Sequence, residues 1–219
     1  MMERIIIICE GNTEKEFCSK TLSPHFLLKN KILENPLIKK SNGGIVKWYH
    51  LKKQIELHLK YEKNVTVTTP IDYYVISSKH YFPGWEDAKS IQDKNKRTEF
   101  LENSMLESID EEIRFRFKPY IQLHEFEGLL FNDIKIFTDI VSGNDIIGME
   151  ELKKTLSDYS NPEMINEGKN TSPSKRLERC IKGYDKEVYG NILAEAIGLE
   201  NLRNKSPRFN NWITLLENL

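Results

Sequence analysis

The chain has 219 residues, 39% hydrophobic and 10% aromatic, enough apolar material for a substantial core and too much for a disordered or low-complexity scaffold. With 32 basic and 33 acidic side chains the formal net charge is -1, which excludes nucleic-acid binding by bulk positive charge and leaves room for a local basic face. The longest apolar run near the start, Ile5 to Cys9, falls far short of the roughly 20 residues a bilayer demands, so no membrane or export segment is expected.

Ile5 to Cys9 reads as a strand buried on both faces, the kind found centrally in a parallel sheet. After Gly11 and Asn12, Thr13 with Glu16 three positions on matches a capping box, opening a helix with Phe17, Thr21 and Leu22 inward. A lysine-rich stretch with Asn42-Gly43-Gly44 precedes a helix marked by Leu51, Ile55 and Leu59. Val65 to Ile76 is the second expected strand, with Pro70 suggesting an edge or bulge just before Asp72.

Phe82-Pro83-Gly84-Trp85 reads as a turn, and Glu86 to Glu112 as a solvated helix with Phe100, Ile109 and Ile113 inward. Pro119 to Leu123 is a short strand running into His124-Glu125-Phe126-Glu127-Gly128. This alternation indicates an α/β protein, a mainly parallel sheet flanked by helices with a helical C-terminal part. The expected division is a core over 1–148 and a helical extension over 149–219 packed on it, with Asn161 to Ser174 as a long exposed connection.

Glu10, Asp72, Glu125 and Glu127 each end or follow an apolar strand, where open α/β folds bind ligands. Carboxylates brought together repel unless a hard cation sits among them, and Mg²⁺ favours oxygen ligands with several retained waters. Such an ion stabilises phosphodiester transition-state charge while an unligated carboxylate transfers a proton. The competing reading makes Glu10 a turn acceptor and gives Glu14 and Glu16 an electrostatic role at a helix N-terminus. His124 reads as a hydrogen-bonded core residue.

Lys169, Lys175, Arg176, Arg179, Lys182 and Lys186 form a local basic segment. Ser172-Pro173-Ser174 before it suits a helix start able to hold phosphate, with an ordinary solvated helix face as the alternative. A second group, Lys39, Lys40, Lys47, Lys52 and Lys53, reads as a solubilising face, with tracking of a nucleic-acid backbone as the alternative. Trp48, Trp85 and Trp212 read as packing residues, with stacking on bases as the alternative for Trp48 and Trp85. Cys9, Cys18 and Cys180 lack an even count and CxxC spacing and suit a reducing cytoplasm as small buried hydrophobes.

Several motifs taken in order resemble one bacterial family, the Toprim-like proteins described as domain of unknown function four-two-seven-six. They are Glu10-Gly-Asn-Thr-Glu14, Asp72-Tyr-Tyr74 with Phe82-Pro-Gly84, Pro119-Tyr-Ile-Gln-Leu-His-Glu-Phe-Glu-Gly-Leu-Leu-Phe131, Asn161-Pro-Glu-Met-Ile-Asn166, Pro173-Ser-Lys-Arg176, Tyr184 with Lys186, and Pro207-Arg-Phe-Asn-Asn-Trp212. The resemblance implies a Toprim-type fold and a Mg²⁺-dependent (or Mn²⁺-dependent) nuclease acting on RNA or DNA in phage defence, controlled by an ABC-type ATPase encoded nearby. It implies Glu10 as the proton-transfer residue and Asp72, Glu125, Glu127 and Glu14 in or beside the metal site. It also implies Lys175, Arg176 and Lys186 on substrate phosphates. The family's Asp-X-Asp pair is Asp72-Tyr73-Tyr74 here, Tyr81 stands where relatives carry an acid, and Ser206 where many carry cysteine. The missing second aspartate supports an alternative: a non-catalytic subunit that docks on an ATPase.

Overall fold

A computed structural model of the protein describes residues 2–39, 44–165, 168 and 170–219. The lysine-rich stretch at Lys40, the Asn42-Gly43 turn and Lys169 lie outside the described residues. The chain clusters into two compact units, 1–123 and His124–Leu219, so that residues 124–148 belong with the C-terminal helices.

The first unit holds four strands: β1 (Glu3–Ile7), β2 (Lys31–Glu34), β3 (Val65–Asp72) and β4 (Phe117–Gln122). All neighbours are parallel, in the order β2-β1-β3-β4. Its helices are α1 (Asn12–Phe17), which continues through a π-helical turn Cys18–Leu22 into α2 (Ser23–Leu27), then α3 (Trp48–Tyr61), α4 (Trp85–Ala88) and α5 (Lys94–Ser108). The α/β class and parallel sheet expected from the sequence are those observed.

Alternation along β1 sends Ile6 and Ile8 into a cluster with Leu51, Ile55 and Leu59 of α3 and Leu101 and Met105 of α5. Ile5 and Ile7 point the other way and are buried as well, so β1 is covered on both faces. The edge strand β2 is tied to β1 by charge: Arg4 binds Glu34 and Glu62, and Lys31 binds Glu3.

Four local expectations change. The helix after β1 begins at Asn12 with Gly11 as its cap, and it is Glu14, not Glu16, that reaches back to accept the Gly11 amide at 3.0 Å. The extended Gly11 backbone sets the cap two residues earlier than Thr13 would.

β3 stops at Asp72 and passes into a 3-10 turn, Tyr73–Val75, and it is an interior strand. Pro70 is tolerated because the β1 ladder has ended by then: the last rungs are Ile7 opposite Thr68 and the Ile8 amide on the Thr68 carbonyl at 2.9 Å. The next donor in line would fall at position 70, where proline has none.

The expected helix over 86–112 is broken between α4 and α5. The break resets the helical phase, so Thr98, Leu101 and Met105 face inward while Phe100 is exposed; Ile109 and Ile113 are buried beyond the helix end.

In the second unit follow α6 (Ile134–Ile140), α7 (Met149–Asp158), α8 (Pro173–Cys180), α9 (Lys186–Ile197), α10 (Leu199–Lys205) and α11 (Pro207–Glu217). The stretch expected as an exposed connection after Asn161 is anchored instead. Pro162 and Met164 bound a 3-10 turn, and Glu163, Ile165, Ser172 and Pro173 are buried.

Candidate functional site

The chain runs from β1 outward to β2 and then returns past β1 to β3, so the seam between β1 and β3 is the topological switch point of the sheet. In open α/β sheets, ligands bind at the carboxyl ends of the strands flanking that point. Glu10 leaves β1 there and Asp72 is the last residue of β3. The last paired rung is Ile7 opposite Thr68, and Glu10 follows β1 by three residues while Asp72 closes β3. The sequence pattern thus delivers two carboxylates to adjacent strand ends, Asp72 only 8% exposed and Glu10 half-buried.

The loop carrying Glu10 is held on both sides. Cys9 bridges Leu37 in the next connection, with the Cys9 amide on the Pro36 carbonyl and the Ile38 amide on the Cys9 carbonyl, each at 2.9 Å. Cys9 and Cys18 place their sulfurs 3.9 Å apart in the interior. The hydrogen bond with Cys9, then burial, push the Cys18 thiol well above its ordinary range, so it stays protonated. Glu14 is engaged by the Gly11 amide.

Past Asp72, Tyr73 accepts a hydrogen bond from Arg97 at 3.2 Å and packs against Trp85, while Tyr74 is exposed. The position of the expected second acid therefore holds a phenol at the surface. Among the described residues, no group of three or more His, Cys, Asp or Glu side chains is placed to hold a metal ion. A closed carboxylate cage is thus not formed. Two strand-end acids alone would leave a cation to take most of its ligands from water and substrate oxygens, a mode that Mg²⁺ accepts.

Glu125 and Glu127 lie in the second unit, just past His124, whose left-handed backbone (φ 70°) redirects the chain. His124 is 3% exposed, in keeping with a core residue. Glu125 Oε2 accepts the Ser174 amide at 3.0 Å, so the amino end of α8, expected to attract phosphate, already receives a carboxylate from the chain itself.

Glu127 is wholly buried, with Oε1 3.1 Å from the Lys186 ammonium and Oε2 without a hydrogen-bond partner among the described residues. Burial raises its carboxyl pKa; Lys186 opposes the rise and Glu125 adds to it. Burial, then Glu127, also pushes the Tyr184 phenol up, and its hydroxyl too is buried without a partner among the described residues.

Lys182 is exposed, and three other basic residues of the segment, Lys175, Arg176 and Arg179, are engaged. Lys175 pairs with Glu178 at 2.6 Å, and Arg176 donates to the Thr171 carbonyl at 2.9 Å and Thr155 Oγ1 at 3.1 Å. Arg179 holds Glu151 and donates to the Asn170 carbonyl at 2.6 Å. A phosphate arriving here would compete with these contacts. Sequence reasoning missed Glu151 as the acid shared by Arg176 and Arg179, and Glu163 as a buried cap; their partners lie too far along the chain for local pattern to reveal.

Fold and site together define an α/β protein with paired acids at the switch point of a parallel sheet. The family model described as Domain of unknown function (DUF4276) matches residues 9–217, and the chain belongs to that family. No curated protein and no solved structure matches the chain.

Proposed function

We propose that the protein is a Toprim-type, Mg²⁺-dependent phosphodiesterase acting on RNA or DNA in the cytoplasm, with Mn²⁺ as a substitute ion. The observation that carries this reading is the arrival of Glu10 and Asp72 at adjacent strand ends on the switch point of the sheet. Asp72 would approach the cation, whose chemistry is to offset charge on a phosphoryl oxygen. Glu10, half-buried just past the end of β1, would carry the proton as general acid or base. The exposed Lys175 and the half-buried Arg176 and Lys186 are the proposed phosphate contacts, reached by exchange with their present acidic or carbonyl partners. Control by an ABC-type ATPase and a role in phage defence rest on the family resemblance. No helix among the described residues is long and apolar enough to cross a membrane.

The test is cleavage of labelled single- and double-stranded RNA and DNA by the full chain with Mg²⁺ or Mn²⁺, alone and with the neighbouring ATPase. Cleavage lost in Glu10→Gln and Asp72→Asn supports the reading; no cleavage under any of these conditions ends it. The second reading is a non-catalytic docking subunit, favoured by Tyr74 in place of the second aspartate and by the absence of a three-acid group among the described residues. Calorimetric titration with Mn²⁺ separates the two: heat of binding abolished by Asp72→Asn belongs to the enzyme, and ATPase binding untouched by Asp72→Asn, without metal binding, to the docking subunit.

A further inference from the structure

The first unit also carries a concavity whose lining includes neither Glu10 nor Asp72. It is a pocket of about 140 Å³ lined by Lys39, His50, Lys53, Gln54 and Leu57. Its walls are built rigidly. Gln54 is 3% exposed and spends both ends of its amide on the loop after β2, accepting the Lys39 amide at 2.8 Å and donating to the Leu37 carbonyl at 3.0 Å. Because Leu37 bridges Cys9, that loop runs along the carboxyl edge of the sheet, the edge from which Glu10 departs.

Among the described residues, no carboxylate lines this pocket. Lys52 and Lys60 on the same helix have partners, Glu56 at 3.7 Å and Asp110 at 3.0 Å. Lys39 and Lys53 are exposed and, among the described residues, neither ammonium has an ion-pair partner. The acids further along, Glu34 and Glu62, are both bound by Arg4. Like charges sharing a concavity over low-dielectric walls focus a positive potential outward, and an anion is the partner that relieves their repulsion.

The apolar part of the surface narrows the class of anion. Tyr49, Lys53 and Leu57 recur at intervals of four along α3, and so share one helix face. Tyr49 is 66% exposed and stands one turn beyond the pocket, with Leu57 39% exposed on its other side. An aromatic ring spaced along a face from two cations is the arrangement that holds a backbone by its phosphates and a base by stacking. A duplex hides the faces of its bases from such a ring.

We propose that Lys39, Lys53 and His50, with Tyr49 as a stacking platform, bind the phosphates and a base of a single-stranded nucleic acid. Binding here needs no cleavage, so the site stands or falls apart from the catalytic reading.

The experiment is fluorescence anisotropy of a labelled single-stranded homopolymer with the full chain in EDTA, over a series of salt concentrations. Lys39→Glu with Lys53→Glu is expected to weaken binding at least about tenfold and to lower the salt slope by roughly 1.4, the value for two lost phosphate contacts on a single strand. Tyr49→Ala should weaken binding by about tenfold at unchanged slope. Lys39→Gln with Lys53→Gln should give the same slope change with a smaller affinity loss, and Lys153→Glu with Lys154→Glu serves as the control for charge alone. The proposal is overturned if the strand does not bind, if the pocket variants keep parental affinity and slope, or if the control weakens binding equally. Binding through this face without any cleavage, with or without the ATPase, would keep this site and remove the enzyme.

Discussion

Glu163 accepts the backbone amide of Phe209 through Oε1 at 3.0 Å, and its other oxygen takes the neighbouring Arg208 amide at 2.9 Å. The acid is 1% exposed. It caps α11, which begins Ser206-Pro207 and makes no use of the Ser206 side chain as a cap. Helix α8 begins the same way, Ser172-Pro173, and is served by Glu125. In both helices a carboxylate from elsewhere in the unit satisfies amide groups that the local serine leaves open.

Removing that cap strands buried amides. Glu163→Ala is expected to lower unfolding free energy by about 2 kcal/mol, above the usual cost of a lost cap because the amides stay out of water. Glu163→Gln, which keeps one acceptor, should lose less. Guanidinium denaturation of the three proteins checks the order; equal stability of parent and Glu163→Ala would refute the capping role.

Gly84 sits at φ 72°, and a Cβ there would lie 2.5 Å from Ser104 Oγ and 2.9 Å from Phe100 Cε1. Gly84→Ala should cost at least about 1–2 kcal/mol from backbone strain, and Ser104 Cβ, 3.0 Å away and unable to turn aside, adds to it. Thermal melting reads the loss, and an unchanged midpoint would mean the Phe82–Trp85 turn adopts another conformation.

Glu127 gives a signed pH dependence. Burial raises its folded-state pKa above the unfolded value, so the folded protein holds the proton longer. Its contribution is therefore most favourable below the unfolded pKa and is lost as pH rises through the folded one. Glu127→Gln removes that loss. The variant should be more stable than the parent at neutral pH, on the order of 1 kcal/mol, and the gap should close in acid. Denaturation across a pH series would contradict this if the variant were the weaker protein at neutral pH.

The chain's own pattern shows the sheet best where one physical requirement dominates. Four consecutive isoleucines from Ile5 to Ile8 have no stable place except between two covered faces, and β1 lies there. β2 was hidden because Lys31-Ile-Leu-Glu34 is an edge held by ion pairs with Glu3 and Arg4, and no alternation marks it. Phe100 lies one residue off the inward face because the break before α5 shifts the phase that Leu101 and Met105 follow. Glu10 and Asp72 are readable as strand-end acids. The engagement of Glu125 by Ser174, 49 residues away, depends on tertiary contact and leaves no mark in local spacing.

Pro70 governs how far two strands can zip. Hydrogen bonding between β1 and β3 runs up to the Ile8 amide, and the following rung is denied a donor. Put an amide hydrogen at that position, as in Pro70→Val, and the fastening should advance by a step, pinching the mouth between Glu10 and Asp72. Slowed amide exchange at position 70, with no change at Thr66, would register the tightened mouth; rapid exchange at the new amide would show that the gap is kept open by something other than the imino ring.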